Sequence, residues 1–207
     1  MQGEQIIMMN ITYVLDNKLY LNITNKCPCA CEFCIRRNGE GAYGSDSLWL
    51  EHQPDANEVI AELKKEDLDS YDEIIFCGFG EPTCELGILI KSAKYIRSVT
   101  KTPVRINTNG LSDLINETST CKLMMGLFDT VSISLNASNR EEYNKITQPK
   151  WKDKAFDAMI NFAIEANEVF PRVILSVVDV ISDEEIEKCK ELCKKLGIEL
   201  RVRNYSA

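Results

Sequence analysis

Cysteines stand at positions 27, 29, 31 and 34, inside the run Cys-Pro-Cys-Ala-Cys-Glu-Phe-Cys. Thiolates packed this closely on one segment repel one another unless a soft ion neutralises them, and iron–sulfur clusters and zinc are the usual occupants. Cys27, Cys31 and Cys34 are spaced C-x3-C-x2-C, with Phe33 directly before the last of them, while Cys29 is an additional thiol. A structural zinc site would want all four in a closed tetrahedron, for which Cys-x-Cys-x-Cys is tight. Cysteines 77, 84, 121, 189 and 193 bring the total to nine, an odd number that disfavours a fully paired disulfide framework. The single histidine, His52, removes histidine triads and HExxH zinc sites; it lies just before a helix start and reads as a surface-loop residue.

These thiols need elements to position them. Residues 11–15 and 19–24 are strand-like around the turn Asp16-Asn17-Lys18, so a hairpin over 11–24 delivers the cysteine loop 27–34. Val59, Ile60 and Leu63 then recur at helical spacing, followed by a buried-type strand over 73–77 and the turn Gly78-Phe79-Gly80-Glu81-Pro82-Thr83. A helix over 86–99, a strand over 104–108 ending in Asn107-Thr108-Asn109-Gly110, and a helical or irregular stretch over 111–125 come next. A strand over 130–135 leads through Asn136 to a helix over 139–146 with Ser138 as its cap, and then to a helix over 154–169. The last elements are a strand over 173–180, a helix over 183–196 closed by Gly197, and a strand over 198–205. Strands alternating with helices define an α/β class with a parallel sheet.

Side-chain parity narrows the architecture, because residues i and i+2 of a strand share a face. Arg105, Asn107 and Asn109 oppose Val104 and Ile106; Ser132, Ser134 and Asn136 oppose Val131, Ile133 and Leu135; Glu199, Arg201 and Arg203 oppose Leu200 and Val202. A doubly wound sheet would give continuous apolar runs instead. One apolar and one polar face imply a curved sheet around a wet cavity: a partial (β/α)6 TIM-like barrel after the hairpin, with its site at the C-terminal strand ends. Arg201 and Arg203 in such a cavity favour a carboxylate or phosphate on a ligand. The other reading of that pair is ionic contact with Glu199 or with helix carboxylates.

The chain has 207 residues, 44% hydrophobic and 27% charged, which fits one domain over 1–207 with a full core. Its formal net charge of −8 opposes a nucleic-acid surface. No cationic, apolar leader opens it, and no apolar run approaches the roughly 18 residues of a membrane span, so a cytoplasmic protein with reduced thiols is expected.

The C-x3-C-x2-C loop after the first barrel strand resembles the signature of the radical S-adenosylmethionine (SAM) superfamily. The resemblance implies that Cys27, Cys31 and Cys34 bind three irons of a [4Fe-4S] cluster, that Cys29 is a non-ligand, and that the open iron takes the amino and carboxylate groups of SAM. Reductive cleavage of SAM to methionine and a 5′-deoxyadenosyl radical would follow, with hydrogen abstraction from a substrate. Gly78, Gly80, Glu81 and Pro82 resemble the family's Gly-Gly-Glu-Pro element, interrupted here by Phe79, which holds the SAM amino group. Ser134 and Asn136 match the element that contacts ribose and carboxylate, Asn107 is a further candidate contact, and Phe33 would pack at the adenine. The fifth-strand adenine motif is not matched by residues 173–179 and Ile181, because its glycines and glutamate are missing.

Together with Gly-Phe-Gly-Glu-Pro-Thr, Asn-Thr-Asn-Gly and Ser-Ile-Ser-Leu-Asn-Ala, the cysteine loop looks most like the short TatD-associated (TatD-linked) members. The resemblance further implies a small-molecule or peptide substrate and an electron donor such as flavodoxin or ferredoxin. It leaves open a small-molecule rearrangement of the carboxy-deazaguanine synthase kind, peptide modification, or activation of a glycyl radical enzyme. Arg36, Arg37, Glu40, Tyr43 and Trp49 are candidates to cover SAM or select substrate, or else form a solvated loop. Cys84 is expected near the cavity, and Cys189 and Cys193 are expected as buried small hydrophobes. The alternative from another class is a non-catalytic zinc-binding or iron–sulfur scaffold, or an electron carrier.

Overall fold

The turn Asp16-Asn17 takes left-handed backbone at both residues (φ 49° and 57°) and closes strand β1 (Thr12–Leu15) onto β2 (Lys18–Leu21) as an antiparallel pair. The computed structural model describes residues 9–37, 39–41 and 45–205. From β2 onward every pairing is parallel, through β3 (Glu73–Phe76), β4 (Val104–Thr108), β5 (Thr130–Ser134), β6 (Arg172–Val178) and β7 (Glu199–Arg203). Strand order in space follows order in the chain, β1 to β7, with no reversal. Sequential parallel strands joined by right-handed crossovers put their helices on one side, so the sheet curls instead of winding in two directions. This is the expected six-stranded partial barrel with a hairpin strand added at one edge.

The outer face packs under helices α1 (Ala56–Leu63), α2 (Leu86–Val99), α3 (Ser112–Asn116), α4 (Cys121–Met124), α5 (Arg140–Thr147), α6 (Ala155–Val169) and α7 (Asp183–Leu196). Ile74, Phe76, Ile106, Val131, Ile133 and Leu175 are buried there with Leu63, Leu89, Ile96, Met159 and Phe162. Burial of each such side chain is worth about 1.5–3 kcal/mol before chain entropy is counted. Cys189 and Cys193 sit in the same layer as buried small hydrophobes, with burial raising their thiols to about 12 and about 11.

Helix boundaries follow local chemistry. Asp55 and Glu58 form a reciprocal capping box on α1, and Gly197, at φ 68°, ends α7. The cap of α5 is Asn139, whose side chain accepts from Glu142 N–H, and not the expected Ser138; the helix begins at Arg140, one residue later than expected, and Ser138 N–H donates to Glu185 instead. The 111–125 stretch divides into α3 and α4 because Glu117 adopts left-handed backbone at φ 53°.

Two glycines are fixed by close approach. A Cβ on Gly78 would stand 2.1 Å from Asn22 Oδ1, and one on Gly80 would stand 2.2 Å from Thr24 O and 2.8 Å from Lys26 O. Loop 78–83 therefore lies directly against the segment that carries the cysteines. Gly80→Ala is expected to destabilise the fold by about 1–3 kcal/mol in urea denaturation. Gly87→Ala in α2, with nothing within 4 Å of the added carbon, should be neutral or stabilise by up to about 1 kcal/mol.

Candidate active site

The cysteine loop leaves β2 and is held from two sides. Ala30 N–H donates to Thr147 O, Glu32 N–H to Ile146 O and Lys150 N–H to Pro28 O, so the end of α5 and the residues after it pin the loop backbone. On the other side Glu81 N–H donates to Lys26 O. A turn of 3-10 helix over Ile35–Arg37 brings Arg36 back over the thiols, its Nε 3.4 Å from Cys34 Sγ and its Nη1 donating to Asn25 O. The Arg36 guanidinium also stands 5.9 Å from the Trp49 ring centre.

The four thiols are inequivalent. Cys27, Cys31 and Cys34 are half-buried, and Cys29 is buried, with Asn109 Nδ2 3.8 Å from its sulfur. Hydrogen bonding between Cys29 and its neighbours pulls Cys27 and Cys31 below the ordinary thiol range and pushes Cys29 well above it. The thiolate is therefore more favoured at Cys27 and Cys31 than at Cys29. Among the described residues no three His, Cys, Asp or Glu side chains are drawn together as the shell of a single metal ion.

Cys31 and Cys34 open onto a cavity of ≈ 430 Å³ lined also by Tyr13, Tyr20, Phe33, Cys77, Arg105, Asn107, Ser132, Arg201 and Arg203. The inner sheet face is thus the one whose polar parity the sequence displays. Two buried acceptors have no partner, Asn107 Oδ1 on the cavity lining and Asn136 Oδ1 just past the end of β5. Asn136, only 4% exposed, follows β5 with left-handed backbone at φ 62° and donates its N–H to Ser176 O. Orphaned acceptors in a packed site call for a missing donor, which the hydroxyls and ammonium of a nucleoside amino acid provide. A smaller slot of ≈ 260 Å³ is bounded by Glu32, Phe33, Ile146, Val180 and Tyr205. The donor set and the orphaned acceptors therefore fit a sulfur-bound cluster with a polar organic ligand beside it.

Glu81, 4% exposed, occupies an unexpected place. Its Oε1 accepts from Thr83 N–H, Thr83 Oγ1 and Thr108 Oγ1, and its Oε2 accepts from Asn109 N–H. The carboxylate ties the loops after β3 and β4 together, with one acceptor direction left on Oε2. Pro82 starts the 3-10 turn after it, and Phe79 fills a small satellite core with Leu48, with Trp49 packed edge-on at 5.0 Å. That packing explains the residue separating the two glycines.

Other expectations need amending. Arg201 and Arg203 make no ion pair among the described residues, because Glu199 is forked onto Arg172 instead. Cys77 lines the cavity, whereas Cys84 does not. Arg37 donates to Ala30 O and Glu40 O accepts from Leu48 N–H, so both act on the loop backbone. Tyr43 lies outside the described residues. Sequence reasoning passed over Asn22, buried inside an apolar strand, which donates to Leu48 O and accepts from Phe79 N–H. A polar residue interrupting Leu19–Ile23 was the available signal. It also passed over Ile146 and Val180, for which Val180, an apolar residue left exposed on a loop, is the trace.

A curled parallel sheet that presents three cysteines and a polar cavity at its C-terminal strand ends defines a cofactor-dependent barrel. Residues 21–196 match the model of the Radical SAM superfamily, and the chain belongs to that superfamily. It is 26% identical over 155 residues to the "Probable dual-specificity RNA methyltransferase RlmN" of Dictyoglomus turgidum, covering 70% of this chain and 41% of that protein. It is 30% identical over 182 residues to a "Probable GTP 3',8-cyclase" of Saccharolobus islandicus, covering 87% of this chain and 54% of that one. The chain thus spans about half the length of these relatives. Streptococcus suis SuiB bound to precursor peptide SuiA shares the fold, with a TM-score of 0.69 at 20% identity over 91% of this chain and 39% of that one.

Burial, partly offset by the four donors, raises the Glu81 carboxyl above the ordinary glutamate range. The folded state then holds a proton the unfolded chain has released, so this group's contribution to stability falls as pH rises from the ordinary glutamate range through the raised value. Glu81→Gln should remove that pH dependence and, by setting an N–H against these donors, cost about 1–3 kcal/mol in urea titrations.

Proposed function

We propose that this chain holds a [4Fe-4S] cluster on Cys27, Cys31 and Cys34 with SAM beside it, and uses the pair to abstract hydrogen from a substrate. The observation that carries this reading is the C-x3-C-x2-C loop opening on the cavity lined by Asn107, whose Oδ1 lacks a partner, in a chain matching the superfamily over 21–196. Three thiolates on four irons leave one iron open. When bound, such a cluster supplies the electron that splits SAM into methionine and a 5′-deoxyadenosyl radical.

The chain's own residues bind and orient. Cys29, which falls outside the C-x3-C-x2-C signature, would stay off the iron. Arg36 holds Cys34 in place by an N–H···S contact of 3.4 Å. Asn107 and Asn136 offer unpaired acceptors to hydroxyl or ammonium donors of SAM, with Ser134 beside Asn136 at the end of β5. Gly78, Gly80 and Pro82 bring Glu81 against the cysteine segment, where its remaining Oε2 direction would be available to the SAM amino group. Phe33, with Ile146 and Val180, offers an apolar slot to the adenine.

Within the superfamily we assign the chain to the TatD-associated group on the strength of its cysteine-loop sequence and Gly-Phe-Gly-Glu-Pro-Thr. A donor such as flavodoxin or ferredoxin would supply the electron. The relatives name RNA, GTP and a precursor peptide in their descriptions, and a net charge of −8 favours a small molecule or peptide here.

Anaerobic reconstitution with iron and sulfide, followed by dithionite and SAM, is expected to yield 5′-deoxyadenosine. Cys27→Ala, Cys31→Ala and Cys34→Ala should each abolish it, and Cys29→Ala should retain it. A preparation that binds only zinc, or one that carries iron and sulfide yet never forms 5′-deoxyadenosine, would sink the proposal in favour of a scaffold or electron carrier.

A further inference from the structure

The residues lining the ≈ 430 Å³ cavity include Arg105, Arg201 and Arg203 and no aspartate or glutamate, in a chain of formal net charge −8. The contrast with its surroundings is local. The ≈ 540 Å³ cavity beside the cysteine loop is lined by Glu32, Glu141, Glu142, Glu184 and Glu185 against two lysines. Positive charge has been gathered on the inner sheet face while the chain as a whole is acidic.

Two of the three guanidiniums, Arg201 and Arg203, have no counterion among the described residues, and the third, Arg105, is paired with Glu73 through one nitrogen only. Arg201 and Arg203 alternate on β7, so both point to the inner face, and neither side chain forms a hydrogen bond or ion pair among the described residues. Glu199, the carboxylate two residues before Arg201, is held by Arg172 through contacts of 2.8–3.2 Å. Asp179, at the end of β6, accepts from Tyr205 N–H. Arg105, 8% exposed, reaches Glu73 at 3.2 Å through one Nη, while its buried Nε has no partner. Arg203 of β7 and Arg105 of β4 line the same cavity as Cys77, so charge from both strands is gathered in one space. Like charges brought together without a counterion repel, and a guanidinium fork matches carboxylate or phosphate oxygens in geometry. An unpaired, buried guanidinium N–H adds a donor with nothing to meet.

We infer that the substrate carries an oxyanion group, a carboxylate or a phosphate, which Arg201 and Arg203 bind with Arg105 behind them. That the bound molecule is a substrate rests on the proposed radical SAM function. The arginines then set its position. Arg105 is the second residue of β4, away from the strand end where the thiols emerge, so a molecule anchored there extends toward Cys31 and Cys34 in one cavity.

The test needs no turnover. The protein as purified, without SAM or reductant, is titrated calorimetrically at low ionic strength with inorganic phosphate and separately with succinate. At least one should bind saturably, and the tighter of the two identifies the chemistry. The Arg201→Gln/Arg203→Gln variant should weaken that binding by about tenfold or more, Arg201→Lys/Arg203→Lys by less, and added salt should weaken the wild type. Arg203→Gln alone, at an exposed position, provides the same reading if the double variant fails to fold. SAM titrated onto the reconstituted protein should bind the Gln variant as it binds the wild type. The inference is overturned if neither anion binds the wild type more tightly than the Gln variant, or if SAM affinity falls about tenfold with it, since the arginines would then serve the cofactor's own carboxylate. Absence of 5′-deoxyadenosine from the wild type would defeat the proposed reaction while leaving these titrations as they stand.

Discussion

One buried carboxylate holds the site together. Glu81 accepts four hydrogen bonds, two from Thr83 on its own loop and two from Thr108 and Asn109 at the end of the next strand. Its backbone N–H meets Lys26 O, one residue before the first cysteine. Three strand-end segments are therefore referenced to a single residue, two through its side chain and one through its backbone. The two glycines beside it let the loops approach to distances at which no Cβ could stand. A carboxylate is suited to this because it accepts only and presents about four lone-pair directions at once. Burial carries a desolvation cost, offset by N–H and O–H donors that leave one direction for a ligand.

The cysteine loop gains its definition from that frame. Backbone contacts to the end of α5 fix one side, Arg36 contacts the last thiol, and hydrogen bonding with Cys29 holds the thiols of its two neighbours below their ordinary range. The cavity beneath is polar because the inner sheet face alternates Asn, Ser and Arg with outward apolar residues, and because the open partial barrel keeps that face wet.

Much of this was legible in the chain. Parity on β4, β5 and β7 separated a curled sheet from a doubly wound one, since Arg105, Ser132 and Arg201 cannot lie under helices. The resemblance of the C-x3-C-x2-C spacing to the superfamily signature implied a set of three thiols with Cys29 apart. What remained hidden depends on pairings between distant segments. Glu199 lies within reach of Arg201 in sequence, but Arg172 on the neighbouring strand takes it. Asn139 displaces Ser138 as a cap because α5 begins one residue later, at Arg140, a shift between two good capping residues that composition does not resolve. The role of Phe79 shows only once Leu48 and Trp49 are beside it.

The central claim is that Cys27, Cys31 and Cys34 leave one iron of a cluster free to meet SAM. Mössbauer spectra of the protein reconstituted anaerobically with enriched iron, recorded with and without SAM, address it directly. The account predicts that SAM alters the signal of a single iron site and leaves the others unchanged, in the wild type and in Cys29→Ala alike. Spectra in which all iron sites are unmoved by SAM, or in which Cys29→Ala loses the cluster, would contradict it.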